Sequence, residues 1–176
     1  GAIYVLSSKA GYQEGCFPPC KCPIMVEQPI TGTFKLVYVG PRDGIETYAV
    51  QDVNWTVPFF DPPLRIIGAG KYSIGSPSII PVLQQRMELD LQVGANAVEH
   101  FDSGWVEIGD MSRINITVSI NGMFCYDRVI AIDADRADGQ VTPYTLAPGS
   151  TYEHGCCLKS PCDCLCQGPV PMVGDF

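Results

Sequence analysis

The sequence predicts an all-β protein: an antiparallel sandwich or small barrel of about seven or eight strands with a disulfide-rich irregular collar. Three observations carry that expectation. Residues 86–93 and 113–120 alternate apolar and polar side chains with a period of two, so each segment covers a core on one face and meets water on the other. No window sustains the 3.6-residue period of an amphipathic helix. Nine cysteines fall mostly in two clusters, and the chain writes the cluster motif twice.

In order, the chain opens on the apolar run AIYVL (2–6), rich in β-formers. Residues 11–29 are dominated by Gly, Pro and Cys. With so little periodic apolar content they read as an irregular collar held by cross-links. From Gly32 to Asp133 nearly every segment reads as strand: TFKLVYV, ETYAVQDVNWTV, LRIIGAGKYSI, LQQRMELDLQV, HFDSGWVEI, RINITVSI and FCYDRVIAID. Met87, Leu89, Leu91 and Val93 alternate with Arg86, Glu88, Asp90 and Gln92. Likewise Ile114, Ile116, Val118 and Ile120 alternate with Arg113, Asn115, Thr117 and Ser119. Asn121-Gly122 offers the positive φ angles of a two-residue hairpin turn, which makes 123–132 the partner strand. Gly68-Ala69-Gly70 inside a strand predicts a bulge or a sharp bend, as at a barrel corner. Pro58, Pro62, Pro63, Pro77 and Pro81 stand between strands, where a missing amide proton does no harm.

The organisation that follows is a strand and collar over 1–31, a β-domain over 32–135, a polar linker over 136–143 and a second collar over 144–176. Shifted by 142 positions, Pro19, Cys20, Cys22, Pro29, Gly32 and Phe34 become Pro161, Cys162, Cys164, Pro171, Gly174 and Phe176. Upstream, at a shift of 140, Tyr4, Leu6, Tyr12, Gly15 and Cys16 meet Tyr144, Leu146, Tyr152, Gly155 and Cys156. Self-similarity at a fixed spacing marks a repeated structural unit.

Cysteine usage sets the compartment. Nine cysteines in a chain with few charges point to disulfides and hence to export, secreted or at a cell surface. Zinc favours C-x₂₋₄-C pairs, whereas here the spacing is C-x-C, and His100 and His154 match no ligand pattern. The first unit holds Cys16, Cys20, Cys22 and Cys125, an even set that closes two bridges. Parity predicts that Cys125 bonds one of the other three. In the second collar Cys156, Cys162 and Cys164 match the first three, while Cys157 and Cys166 are additions that pair with each other. One thiol is left over for want of a Cys125 counterpart.

A net charge of −8 with only 11 scattered Lys and Arg disfavours nucleic acid and anionic membranes. No apolar run approaches the ~20 residues of a spanning helix, so membrane insertion is not expected. Gly1 opens no basic-then-apolar signal segment, which fits a mature, processed chain. Asp133, Asp135 and Asp138, followed by Gly139, gather three carboxylates and a glycine on a loop and are the candidate calcium ligands. The spacing departs from the EF-hand pattern, and a solvated acidic linker is the competing reading. No other cofactor is expected.

Enzyme signatures are absent. Glu88 and Asp90 share the solvent face of one strand, and His100, Asp102 and Ser103 are strand neighbours that cannot converge as a triad must. Trp55, Trp105, Tyr72 and Phe101 would make a sugar-stacking platform only if they faced outward together; aromatics on strands are more often core.

GCFPPCKCPI (15–24), GTFKLV (32–37), YAVQDVNW (48–55) and the Gly68-x-Gly70 strand together resemble segments of uncharacterised exported bacterial Cys-rich β-domain repeat proteins. The resemblance implies export and tandem arrangement, and brings no activity or site residue with it. The expected role is a secreted structural or adhesive β-domain that assembles end to end, as tandem repeats or as subunits of an extracellular fibre. Its partner is then another copy of itself. The expected contact elements are Ala2, Ile3, Tyr4, Val5 and Leu6 at one end, and Val170, Met172, Val173 and Phe176 at the other. The alternative is a β module that binds a glycan or another small ligand.

Overall fold

The structure, a computed structural model, describes residues 1–22, 25–77, 82–109 and 112–137, together with the backbone of 151–154 and 167–171. The chain divides into two units, Gly1–Asp138 and Gly139–Phe176.

The first unit is all-β and antiparallel. Its strands are β1 (Ala2–Leu6), β2 (Gly11–Phe17), β3 (Met25–Pro29), β4 (Thr31–Arg42), β5 (Ile45–Val57), β6 (Leu64–Gly75), β7 (Gln84–Val93), β8 (Val98–Asp102), β9 (Val106–Glu107), β10 (Arg113–Ser119) and β11 (Cys125–Arg136). Eight of them close a ring in the order β1-β4-β5-β6-β7-β8-β10-β11, and β11 returns to β1. Closure removes the edges of the ring itself, while β2 and β3 extend the sheet from β11 and leave β3, paired only with β2 among the described residues, as an edge strand.

Eight strands leave an interior that side chains alone can fill. Phe34, Val50, Trp55, Ile66, Met87, Leu89, Leu91, Phe101, Ile116, Ile130 and Ile132 fill it, each no more than a few per cent exposed. The alternation sorts as expected over 86–93 and 113–118 but inverts at the end of the second segment, where Ser119 is buried and Ile120 is 39 % exposed, because the turn after β10 begins there. Met87, Leu89, Leu91, Ile114, Ile116 and Val118 are buried, while Asp90, Asn115 and Thr117 face out.

Three expectations are corrected. The collar over 11–29 is not irregular, because β2 and β3 are strands. The reason is tertiary: β11 is long enough to pair Cys125–Ala131 with β2 and Ala134–Arg136 with β1 along one edge. Backbone pairing then holds a segment whose own side chains carry no alternation, with the fully buried Tyr12 as its anchor in the core. Second, the hairpin turn is displaced by one residue. The Phe124 amide donates to the Asn121 carbonyl, and the positive φ angles fall on Gly122 and Met123 (67° and 59°). The Asp127 carboxylate causes the shift by accepting the amides of Ile120, Asn121 and Met123 at 3.1, 3.0 and 2.7 Å. Third, β6 pairs with β7 in unbroken register through Gly68-Ala69-Gly70, and the bulge lies opposite, in β5 between Val50 and Val53. The glycines serve close approach instead. A Cβ on Gly68 or Gly70 would sit 2.2 or 2.1 Å from the carbonyl oxygens of Asp90 and Glu88.

HFDSGWVEI resolves into two pieces, β8 and β9, which both lie on β7. β8 meets β10 at a single pair, Ser119 with Asp102. The seam beside it is bridged by Gln85, which is 2 % exposed. Its amide donates to the Asn115 carbonyl at 2.9 Å, and its oxygen accepts the Tyr72 hydroxyl at 2.8 Å.

In the second unit β12 (Thr151–His154) pairs antiparallel with β13 (Gln167–Pro171).

Candidate functional site

Three regions stand out among the described residues: the cross-linked collar, one pole carrying a charge network, and an opposite pole with a cleft.

At the collar, Cys20 is bonded to Cys125 and Cys16 to Cys22, with Cα atoms 4.8 and 5.3 Å apart. Parity had anticipated a bond to Cys125; the structure selects Cys20. The bond ties the β2–β3 connection to the first residue of the strand that closes the barrel. Disulfides persist in oxidising compartments, so these two bonds point to a protein outside the cytoplasm. Cys156, Cys157, Cys162, Cys164 and Cys166 lie outside the described residues.

The pole beneath the collar is sealed. On the inward face of β11, below Ile130, Arg128 donates to Glu14 at 3.1 Å and pairs with Glu99. Glu14 also accepts the hydroxyls of Tyr12 and Tyr126, at 2.5 and 2.8 Å. Burial alone would raise the Glu14 carboxyl. The three donors and the Arg128 charge outweigh it and hold the group below its ordinary value.

The expected assembly run behaves differently from the sequence reading. Ala2, Ile3, Tyr4, Val5 and Leu6 form no open end, because β1 pairs on one side with β4 (Tyr4 with Phe34) and on the other with β11 (Tyr4 with Arg136). Val170 lies in β13, while Met172, Val173 and Phe176 are outside the described residues.

Asp133 sits on β11 and is 4 % exposed. It accepts hydrogen bonds from Ser7, Arg113 and Asn115 (the last at 2.8 Å), and Asp135 takes a longer contact from Arg113 at 3.3 Å. Burial pushes the Asp133 carboxyl up; its donors and the Arg113 charge prevail and hold it low. Protein donors thus already stand on the oxygens proposed for calcium, on a strand and not a loop. Asp138 is outside the described residues.

Another carboxylate group lies on the outer face of β7 and β8. Glu88, His100 and Asp102 bring ligand atoms within 4.8 Å of one another. Arg86, however, grips both Asp102 oxygens at 2.9 and 2.6 Å and reaches Glu88 at 3.2 Å; Lys71 also pairs with Glu88 at 2.6 Å. The Arg86 hydrogen bond is the main reason the Asp102 carboxyl lies below its ordinary value. The His100 ring is turned to Asp90 at 2.8 Å, and the Ser103 hydroxyl donates to the Gly104 carbonyl. The triad letters are therefore dispersed, and the whole group is an ion-pair ladder across two strands.

Of the aromatics considered for an outward platform, Trp55, Tyr72 and Phe101 are buried and Trp105 is half-buried. A different row emerges. Tyr38, Tyr48 and Tyr72 stand directly across from one another on β4, β5 and β6. Ring centroids are 5.3 Å apart for Tyr38–Tyr48 and 6.1 Å for Tyr48–Tyr72. The row borders a cleft of about 400 Å³ at the pole where β1 begins and β11 ends, shared with Tyr4, Ile114 and Arg113. Tyr38 and Tyr48 carried no signal in the sequence, since only the strand register aligns them.

Comparison with protein-family models, with curated proteins and with solved structures returns no match.

Proposed function

We propose that this chain is part of a secreted structural or adhesive protein built from repeated barrel units. Gly1–Asp138 is one unit, and the second unit is the opening hairpin of another. The observation that supports this is a register. In the first unit Gly11 pairs with Pro29 and Tyr12 with Gln28. In the second, Thr151 pairs with Pro171 and Tyr152 with Val170. These two pairs fall at the same positions under the shifts of 140 and 142 read from the sequence, while the third, His154 with Gln167, is offset by one residue from the Glu14–Val26 pair, so the echo in letters is an echo in backbone pairing up to that bulge.

The cysteines extend the correspondence. Cys16–Cys22 maps onto Cys156–Cys164, and Cys20 maps onto Cys162. Cys20 is bonded to a cysteine that opens β11. The repeat reading therefore assigns Cys162 a partner on the β11-type strand of a further copy. The role is mechanical: closed barrels presenting few free edges, joined in series and locked by disulfides.

Light scattering and electron microscopy of the oxidised chain test this. The expected result is a concentration-dependent species of high mass, containing a Cys162-linked dimer that is lost on reduction and in Cys162→Ser. A monomer at every concentration, indifferent to reductant and to Cys162→Ser, overturns the assembly reading.

A further inference from the structure

The two poles of the barrel are built differently. One pole is closed by the Arg128–Glu14–Glu99 network. At the other, the inward positions of three neighbouring strands carry tyrosine where the rest of the interior is largely aliphatic. The three rings climb out of the core in steps: Tyr72 is 5 % exposed, Tyr48 half-buried and Tyr38 54 % exposed. An aliphatic side chain at position 48 would pack against Tyr72 without carrying a hydroxyl into the cleft.

The hydroxyls at the two ends of the row are fixed. Tyr72 donates to Gln85 at 2.8 Å and Tyr38 to Glu46 at 2.6 Å, which holds the outermost ring in place. Among the described residues the Tyr48 hydroxyl, between them, has no hydrogen-bond partner. The cleft of about 400 Å³ falls within the range of small-molecule sites. Its wall also carries Gly1, Arg113 and Arg136, of which Arg113 pairs with Asp133 and Asp135.

We infer that the open pole is a carbohydrate-binding site, in which a neutral sugar ring lies against Tyr38 and Tyr48. Apolar C–H faces meet the tyrosine rings, and a sugar hydroxyl takes the free hydroxyl of Tyr48. The walls contributed by Leu36, Ile74 and Ile114 suit the apolar edge of the ring. This inference stands apart from the repeat reading, since it rests on the first unit alone.

Saturation-transfer difference NMR on the full chain tests it. The probes are cellobiose, lactose and di-N-acetylchitobiose, with glucuronate and indole as the anionic and the purely aromatic competitors. Transfer is expected to the ring C–H protons of at least one of the neutral sugars. Tyr38→Ala, at an exposed position where folding is not at stake, should weaken binding about tenfold. Tyr48→Phe should weaken it by a smaller factor, and Tyr126→Ala at the sealed pole should change nothing. No transfer to any neutral sugar, binding that survives Tyr38→Ala, or a preference for glucuronate or indole overturns the assignment.

Discussion

Removing the Cys20–Cys125 bond should cost more than twice as much stability as removing Cys16–Cys22, although both belong to the same collar. The two bridges differ in the chain they close, with sequence separations of 105 and 6. On the chain-entropy account the long loop is worth about 4.8 kcal/mol and the short one about 2.2 kcal/mol. Position argues in the same direction. Cys125 is the first residue of β11, the strand that β10, β2 and β1 all pair with, so the long bond staples the closing strand at one end. Against a typical domain stability of ~5–15 kcal/mol, the larger loss is severe. The assay is urea unfolding of Cys20→Ser/Cys125→Ser and of Cys16→Ser/Cys22→Ser, followed by fluorescence of the buried Trp55. Replacing both partners leaves no new free thiol in the first unit. The midpoint should fall roughly twice as far in the first variant, with the slope comparable in both. Equal losses, or a larger loss for the short loop, would refute the view that the long bond holds the barrel closed.

Gly70→Ala should cost several kcal/mol, because its Cβ would meet the Glu88 carbonyl oxygen at 2.1 Å and backbone cannot swing aside; Gly122→Ala, in open space but at φ 67°, should cost only about 1–2 kcal/mol. Thermal unfolding ranks the two. Asp127→Ala should destabilise by about 2–4 kcal/mol by stripping the acceptor from three amides of the β10–β11 turn, which hydrogen exchange at Asn121 and Met123 will report. Acid should weaken the barrel: Glu14, Asp102 and Asp133 all have folded pKa values below their ordinary ones. Their contribution is therefore present above the unfolded values near 4 and is lost as pH falls through the lowered ones. Unfolding free energy measured from pH 6 downward should decline below about pH 4.5 and less steeply in Glu14→Gln; a stability that is flat to pH 2 would contradict the network.

How far the sequence could be read depended on whether a segment's own side chains carry its structure. β7 and β10 were legible because Met87, Leu89, Leu91, Ile114, Ile116 and Val118 write the pleat directly. β2 and β3 were not, since Gly11, Gly15, Cys16 and Pro29 encode no alternation and β11 imposes their strand state. The turn slipped by one residue because a side chain downstream, that of Asp127, competes for its amides. Parity of the four cysteines predicted a bond to Cys125, but the choice of Cys20 needed three dimensions. The tyrosine row is invisible in one dimension for the same reason. Tyr38, Tyr48 and Tyr72 are scattered along the chain and meet only in a register offset by bulges in β4 and β5. AIYVL looked like an open edge because an apolar strand reads alike whether its backbone is paired on one side or on both.

The central claim is that residues beyond Gly139 repeat the hairpin of the first unit, and disulfide mapping of the oxidised chain addresses it most directly. Peptide mass spectrometry under non-reducing conditions should recover Cys16–Cys22, Cys20–Cys125 and Cys156–Cys164, with Cys157 bonded to Cys166. Cys162 should be free or linked between chains. Recovery of Cys156–Cys157, or of Cys162 bonded within its own cluster to Cys164 or Cys166, would contradict the repeat.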